Sequence, residues 1–239
     1  FETYAGRGIV PFSYPLNFGA ALARPSSAQI MAEADCVVAI GTELSEVDLW
    51  RDHIGHNCPL YRIDIDPECL SDHHRADVGI QARAKDALVA LLRVLPKSQS
   101  KWEPSQVVSQ RKTWRAETEA ERPGIIAIAD ALRDAIPNET MIYSDMTQFA
   151  YVAKEVWPLE QPKHWHHPSG FGTLGYALPA AIGGAVARPN QPTLAIAGDY
   201  GFQYTVQELG TAVELGQALP IILWDNGKLK EIEDSMRTA

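Results

Sequence analysis

Thr193-Leu194-Ala195-Ile196-Ala197-Gly198-Asp199 and Pro220-Ile221-Ile222-Leu223-Trp224-Asp225-Asn226 are two short apolar runs, each closed by oxygen-bearing side chains, with a helical pattern between them. Such runs, bounded by turn-forming residues, read as strands buried on both faces. Two strands joined by a helix form a parallel βαβ unit, and both strand ends then lie on one edge of the sheet. Asp199 and Asn226 can therefore converge on one hard cation, with the backbone carbonyl of Lys228 as a third oxygen. The helix that starts nearby offers free backbone N–H groups to an anion. A Mg²⁺-bound diphosphate fits both halves of that description. On these residues alone, Asp199 and Asn226 read equally well as turn residues after strands.

The same alternation extends outward. Thr140-Met-Ile-Tyr-Ser144 is a strand ending at Asp145, followed by a helix near Gln148 to Val156. His164-Trp165-His166 is a short strand, and Leu174 to Val186 a helix whose Ala177, Ala180, Ala181, Gly183 and Gly184 suit close packing. A helix near Gly124 to Ile136 carries Ile125, Ile128, Ala129 and Leu132 on one face. Thr205-Val-Gln-Glu208 reads as a capping box with Val206, Leu209 and Val213 as the buried stripe. Upstream, Ser26-Ser-Ala-Gln29 reads as a capping box before Ile30, Met31 and Ala34. Cys36–Ile40 and Leu60–Ile65 read as strands, and Ala84 to Leu95 as a helix with Ala87, Leu88, Leu91, Leu92 and Leu95 in its stripe. Strands alternating with helices predict an α/β protein with two Rossmann-like three-layer domains and mostly parallel sheets. The expected division is 1–95, a polar connection with some helix over 96–123, and a second domain over 124–239 that is incomplete at its C-terminus.

The 239 residues carry a net charge of −9, with 46% hydrophobic and 21% charged residues. An acidic chain of ordinary globular composition is a poor partner for nucleic acid or an anionic membrane. No run of about 18 apolar residues and no signal peptide is present. Cys36, Cys58 and Cys69 lack CxxC spacing and are expected to be reduced, buried thiols of a cytoplasmic protein. The chain starts without Met and stops after an acidic helical stretch, so both ends are expected to be cuts inside a longer protein.

A Gly-rich loop, Gly170-Phe-Gly172-Thr173-Leu174-Gly175, leads into Tyr-Ala-Leu-Pro-Ala-Ala-Ile-Gly183-Gly184. Its carbonyls and a projecting Leu174 could hold a planar heterocycle; it also reads as a tight loop before a closely packed helix. Together with the Gly198-Asp199 and Asn226 segments it resembles the thiamine diphosphate enzymes of the acetolactate synthase and 2-oxo acid decarboxylase group. The resemblance runs from about Ile125 to Asn226, and the first domain is similar to that family's central domain. Gly-Asp-Tyr-Gly-Phe and Trp-Asp-Asn-Gly-Lys-Leu are similar to the 5-guanidino-2-oxopentanoate decarboxylase branch.

The resemblance implies thiamine diphosphate and Mg²⁺ as cofactors. Asp199, Asn226 and the Lys228 carbonyl would bind the metal. Gly198, Tyr200 and Gly201 would lie against the diphosphate, with N–H groups from Tyr200 and Gly201, and Gln148 would touch it. Gly172 would accept a hydrogen bond from the aminopyrimidine, and Leu174 would wedge the cofactor into its bent form. Two positions depart from the pattern: Tyr200 replaces a small residue, and Asp225 replaces the first Asn. The family's Glu that protonates the aminopyrimidine belongs to an N-terminal domain not contained in these residues. No catalytic acid or base is therefore assigned, and this chain alone is expected to be inactive. The implied reaction is decarboxylation or carboligation of a 2-oxo acid, in a homodimer or homotetramer. The alternatives are acetolactate synthase with FAD in the central domain, or a non-catalytic nucleotide-binding module; neither FAD nor ADP is assigned.

Other features carry less. His164 and His166 share a strand face without a third ligand, so with His167 they are expected to be surface or interface histidines near the cofactor loop. His73-His74 and the Glu43, Glu46, Asp48 group read as solvated, and Gly6-Arg7-Gly8 as a simple turn. The six Trp residues read as core and interface anchors.

Overall fold

The structure is a computed structural model that describes residues 1–97 and 100–238. Ser98 and Gln99, read as part of the polar connection, and Ala239, the expected domain end, lie outside the described residues. The chain divides into two compact units: Phe1 with Ala21–Val107, and Glu2–Ala20 with Val108–Ala239.

The first unit contains α1 (Ser27–Ala32), β1 (Val37–Ile40), α2 (Glu46–Leu49), β2 (Leu60–Asp64), β3 (Val78–Gln81) and α3 (Ala84–Val94). Its three strands are parallel in the order β1-β2-β3, with Val37 opposite Leu60 and Tyr61 opposite Val78. Leu22, Leu44, Leu49, Ile54 and Leu60 form the core. Arg62 is buried within β2. Its guanidinium donates to Asp72 Oδ1 at 2.6 Å, the His74 carbonyl at 3.0 Å and the Thr42 carbonyl at 2.9 Å, which satisfies the charge where water cannot reach.

Several expectations for this unit fail for local reasons. The capping box at Ser26 does not form, because Ser26 has helical backbone angles; Ser27 donates to the Leu22 carbonyl at 2.7 Å. In α3 only Ala87 is buried, while Leu88 and Leu92 are exposed, because the helix meets β2 through its small side. None of the three cysteines is buried: all are free thiols, Cys36 exposed and Cys58 and Cys69 half-buried, each outside a strand. His74 is buried rather than solvated, with its ring centroid 3.9 Å from that of His73. β3 was not anticipated; its four residues are all exposed and give no apolar run.

α4 (Pro104–Glu121) begins in the first unit and continues into the second. The second unit then runs α5 (Ile125–Ala135), β4 (Met141–Ser144), α6 (Gln148–Val156), β5 (Trp165–His166), α7 (Ala177–Ala187), β6 (Thr193–Gly198), α8 (Asp199–Thr205), α9 (Glu208–Glu214), β7 (Ile221–Trp224) and α10 (Lys230–Thr238). All four strands are parallel, in the order β5-β4-β6-β7. Strand alternation sorts their side chains into two layers. Ile142, Leu194 and Ile196 pack with Phe149, Val152 and Trp157 on one face. Met141, Tyr143, Ala195 and Ala197 pack with Ala177 and Ala181 on the other. Period-two burial on both faces is the signature of a three-layer α/β unit.

Small residues set the spacing on the α7 side. A Cβ at Gly184 would run into the Tyr143 ring, so only glycine lets helix and sheet approach this closely, whereas Gly183 faces open space. In α5, Ile126 is buried with Ile125 and Ala129, and Ile128 is exposed. The stretch after β6 also departs from expectation. A helix starts at Asp199 itself, and Thr205 closes it while donating to the Gly175 carbonyl at 3.2 Å, so Thr205 does not cap α9. Ala212 is the buried residue of α9; Val206, Leu209 and Val213 are exposed.

Candidate functional site

Parallel pairing fixes where β6 and β7 end. Gly198 lies opposite Trp224, so Asp199 and Asn226 leave the sheet on the same edge from neighbouring strands. A cavity of about 280 Å³ opens there. All nine residues singled out from the sequence line it: Gln148, Gly172, Leu174, Gly198, Asp199, Tyr200, Gly201, Asn226 and Lys228. They come from five segments: the start of α6, the loop before α7, the β6–α8 junction, the loop after β7 and the approach to α10.

The oxygen donors at this edge are arranged unequally. Among the described residues the Asp199 carboxylate has no hydrogen bond or ion pair, although Asp199 heads α8, where free N–H groups favour a negative charge. The Asn226 amide is oriented by its neighbours: Nδ2 donates to Gln148 Oε1 at 3.4 Å, and Oδ1 accepts the Lys228 N–H at 3.2 Å. The adjoining Asp225 turns elsewhere and accepts the Gly227 N–H at 3.0 Å, so it does not compete with Asn226. The Tyr200 ring is partly exposed, whereas Gly201 is buried. Tyr200 and Gly201 occupy the first turn of α8, where N–H groups have no intrahelical acceptor.

Asp145 holds the loop that carries Gly172 and Leu174. It is completely buried just past β4. One carboxylate oxygen accepts the Gly175 N–H at 3.1 Å, and the other accepts the Ala177 N–H at 2.7 Å. These bonds delay the start of α7 to Ala177, three residues after the expected Leu174. Gly172 and Gly175 both take positive φ, at 67° and 81°, which glycine tolerates at little cost. Gly201 is the counterpart of Asp145: a Cβ there would strike the carboxylate, so the room left by the missing side chain is filled by Asp145. Burial pushes the Asp145 carboxyl up from the ordinary range, opposed by the backbone N–H groups that favour its ionised form. Sequence reasoning placed Asp145 at a strand end without assigning it a partner; Gly175 lies 30 residues away.

Charged residues close the far side. Arg122 makes a two-pronged ion pair with Glu231, at 3.0 and 2.9 Å, tying α10 to the residue that follows α4. Glu231 and Ile232 line the cavity, as does Tyr151 of α6. Lys154, one turn along α6, is buried with its ammonium 4.2 Å from the Tyr4 ring centroid and 4.5 Å from that of Tyr151. Cation–π contact of this kind compensates part of the lost hydration.

Behind the loop lies a chain of polar groups. Trp165 donates its indole N–H to Ser144 Oγ at 3.0 Å, and the same hydroxyl shares a hydrogen bond of 2.9 Å with His167 Nδ1. Burial, then the nearby Lys154 and Arg7 cations, push the His167 pKa down from 6.5 to about 3. His167 is thus a neutral, half-buried group. Because its folded pKa is depressed, the unfolded chain binds the extra proton between these two values, and stability is lost as pH falls below 6.5. His167→Gln removes this proton uptake. The urea midpoint of the full-length variant is expected to lie below wild type at pH 7.5. The gap should close by about 1.4 kcal/mol per pH unit on acidification below 6.5. A gap independent of pH would contradict the assignment.

Among the described residues no group of three His, Cys, Asp or Glu side chains could hold a metal. His164 is buried rather than at the surface. No helix among the described residues is long and apolar enough to cross a membrane.

Residues 1–91 match the thiamine pyrophosphate enzyme central domain, and residues 145–238 match the thiamine pyrophosphate enzyme C-terminal TPP binding domain. A probable 2-ketoarginine decarboxylase of Pseudomonas aeruginosa is 39% identical over 99% of this chain and 43% of its own length. The acetolactate synthase isozyme 3 and isozyme 1 large subunits of Escherichia coli are 28% and 29% identical over 85% and 95% of this chain, and 38% and 41% of their own lengths. The chain thus spans about two-fifths of the relatives it matches.

Proposed function

Because the chain belongs to the thiamine pyrophosphate enzymes, carrying sequence of their central and C-terminal domains, we propose that its second unit supplies the metal- and diphosphate-binding half of a 2-oxo acid decarboxylase site. The carrying observation is the meeting of nine residues from five segments at one cavity on the carboxyl edge of the sheet. The donor set fits Mg²⁺. It offers one ionised oxygen from Asp199, one amide oxygen from Asn226 and the Lys228 carbonyl, leaving positions for phosphate and water. The uncommitted Asp199 carboxylate supports this fit.

Asp199, Asn226 and Lys228 would hold the metal. The first turn of α8, with Gly198, Tyr200 and Gly201, would face the diphosphate, and Gln148 would orient Asn226. The loop fixed by Asp145 would present the Gly172 carbonyl and the Leu174 side chain to the rings. When bound, thiamine diphosphate supplies the electron sink that lets a 2-oxo acid lose CO₂. The residues of this chain bind and orient; no acid or base is assigned among them. Shared sites of this kind imply a homodimer or homotetramer. We keep the division at 1–95, 96–123 and 124–239 as sequence modules, and a cytoplasmic setting, as parts of the same proposal.

The higher identity to the Pseudomonas protein favours 2-ketoarginine over pyruvate as substrate. Full-length protein with Mg²⁺ and thiamine diphosphate is expected to release CO₂ from 2-ketoarginine at least about tenfold more efficiently than from pyruvate, a difference of about 1.4 kcal/mol in transition-state binding. Acetolactate formation from pyruvate as the faster reaction would overturn this choice.

A further inference from the structure

The start of α10 forms one wall of the cavity. Leu229, Lys230, Glu231 and Ile232 all line it, directly after Lys228, whose carbonyl is the third oxygen of the proposed donor set. That residue and the helix move together. Lys228 Nζ donates to Glu233 Oε2 at 2.9 Å, and the Glu233 N–H donates to the Leu229 carbonyl at 3.0 Å. The position of α10 therefore sets the position of the Lys228 carbonyl.

Apolar burial does little to fix this helix. Ile232 and Met236 are 54% and 77% exposed, and the gain from burial scales with the area withdrawn from water. A charge pair reaches the helix from 109 positions away: Arg122 Nε donates to Glu231 Oε1 at 3.0 Å, and Nη2 to Oε2 at 2.9 Å. Two parallel bonds fix direction as well as distance. The two side chains are only 25% and 18% exposed, so water screens them less than a surface pair. The bond to Glu231 raises the Arg122 pKa, against the opposing effect of burial.

Arg122 is itself well anchored. Its N–H donates to the Thr118 carbonyl at 3.0 Å, and Trp114 and Thr118 hold α4 through buried side chains. Arg122 is not one of the residues that line the cavity, so it acts on the site through Glu231.

We propose that Arg122 is a positioning residue, which docks α10 through Glu231 before any ligand arrives and thereby places the Lys228 carbonyl for the metal. The inference rests on the thiamine diphosphate reading for what the site holds, whereas the docking itself is measured without cofactor. A helix of 9 residues does not persist alone in water, so undocking frees its amides to exchange. If α10 is docked in about one molecule in ten, affinity for a ligand that needs it docked falls about tenfold, and the bound ligand restores docking by the same factor.

Amide hydrogen exchange of α10 is followed in the full-length protein without Mg²⁺ or thiamine diphosphate, and cofactor affinity is then measured calorimetrically with Mg²⁺. In Arg122→Gln, the α10 amides are expected to lose most of their protection, while those of β4 and β6 keep theirs. Cofactor affinity should fall about tenfold or more, the range for loss of a group that supports a metal ligand. Saturating cofactor should return protection to α10 in this variant. Arg122→Lys keeps the charge without the fork and should fall between. Arg122→Glu combined with Glu231→Arg should recover most of both losses. Unchanged α10 protection in Arg122→Gln, or lost protection with unchanged affinity, would overturn the proposal, and Arg122→Lys decides it if β4 and β6 show that Arg122→Gln does not fold. A wild type that binds no cofactor, with α10 responding as expected, would instead overturn the thiamine diphosphate reading and the coupling with it.

Discussion

Asp199→Ala in the full-length protein is expected to reduce Mg²⁺-dependent affinity for thiamine diphosphate by at least about 100-fold, more than loss of a group that merely supports a metal ligand. The reason is charge. Asn226 and Lys228 offer neutral oxygens, so Asp199 is the one ionised donor of the set, and a hard cation is held chiefly by ionised oxygen. The same substitution should hardly affect folding. The carboxylate bonds to nothing else among the described residues, and its interaction with the start of α8 is worth about 0.3–1 kcal/mol. Asp199→Asn, which keeps an oxygen but not the charge, should fall between. Titration of the cofactor into each variant, followed by tryptophan fluorescence (Trp224 lines the cavity), checks the series. Equal affinities across it would remove Asp199 from the metal.

Asp145→Ala should instead show its effect in stability. The change leaves the Gly175 and Ala177 N–H groups without their acceptor inside the unit, and each buried donor left unpaired costs about 1–3 kcal/mol, so a loss of about 2–6 kcal/mol is expected. Asp145→Asn keeps one acceptor oxygen but turns an amide NH₂ toward the other N–H, so a loss of about 2 kcal/mol is expected. The two faces of this arrangement should be coupled. Gly201→Ala in the wild type forces a Cβ against the carboxylate and should cost about 1–3 kcal/mol, whereas in the Asp145→Ala background the space is open and most of that cost should vanish. Urea unfolding of the four proteins reads the cycle. Additive effects would show that Asp145 and Gly201 do not share this contact.

Much of the second unit is legible because its strands are buried on both faces. Met141–Ser144 and Thr193–Gly198 are apolar runs that no half-exposed strand would need, and α6 occupies its expected bounds, Gln148–Val156. The convergence of Asp199 and Asn226 follows from parallel pairing alone, since adjacent parallel strands end together. What the sequence hides is mostly long-range. Asp145 reads as a turn residue until Gly175 and Ala177 come to meet it. The Arg122–Glu231 pair joins residues 109 positions apart. His167 looks like a polar residue among histidines until Ser144 and Trp165 enclose it. Local misreadings have a different origin. β3 is an exposed edge strand with no apolar signature, and Val206, Leu209 and Val213 carry the helical spacing of a core stripe yet stand on the surface. Periodicity reports an amphipathic face but not what covers it.

The central claim is that Asp199 and Asn226 share one divalent cation. Crystals of the full-length protein grown with Mn²⁺ and thiamine diphosphate test it directly through anomalous scattering. A single peak is expected within about 2.0–2.3 Å of both the Asp199 carboxylate and the Asn226 amide oxygen, a separation suited to octahedral oxygen coordination. Manganese bound elsewhere, or diphosphate bound with neither side chain on the metal, would contradict it.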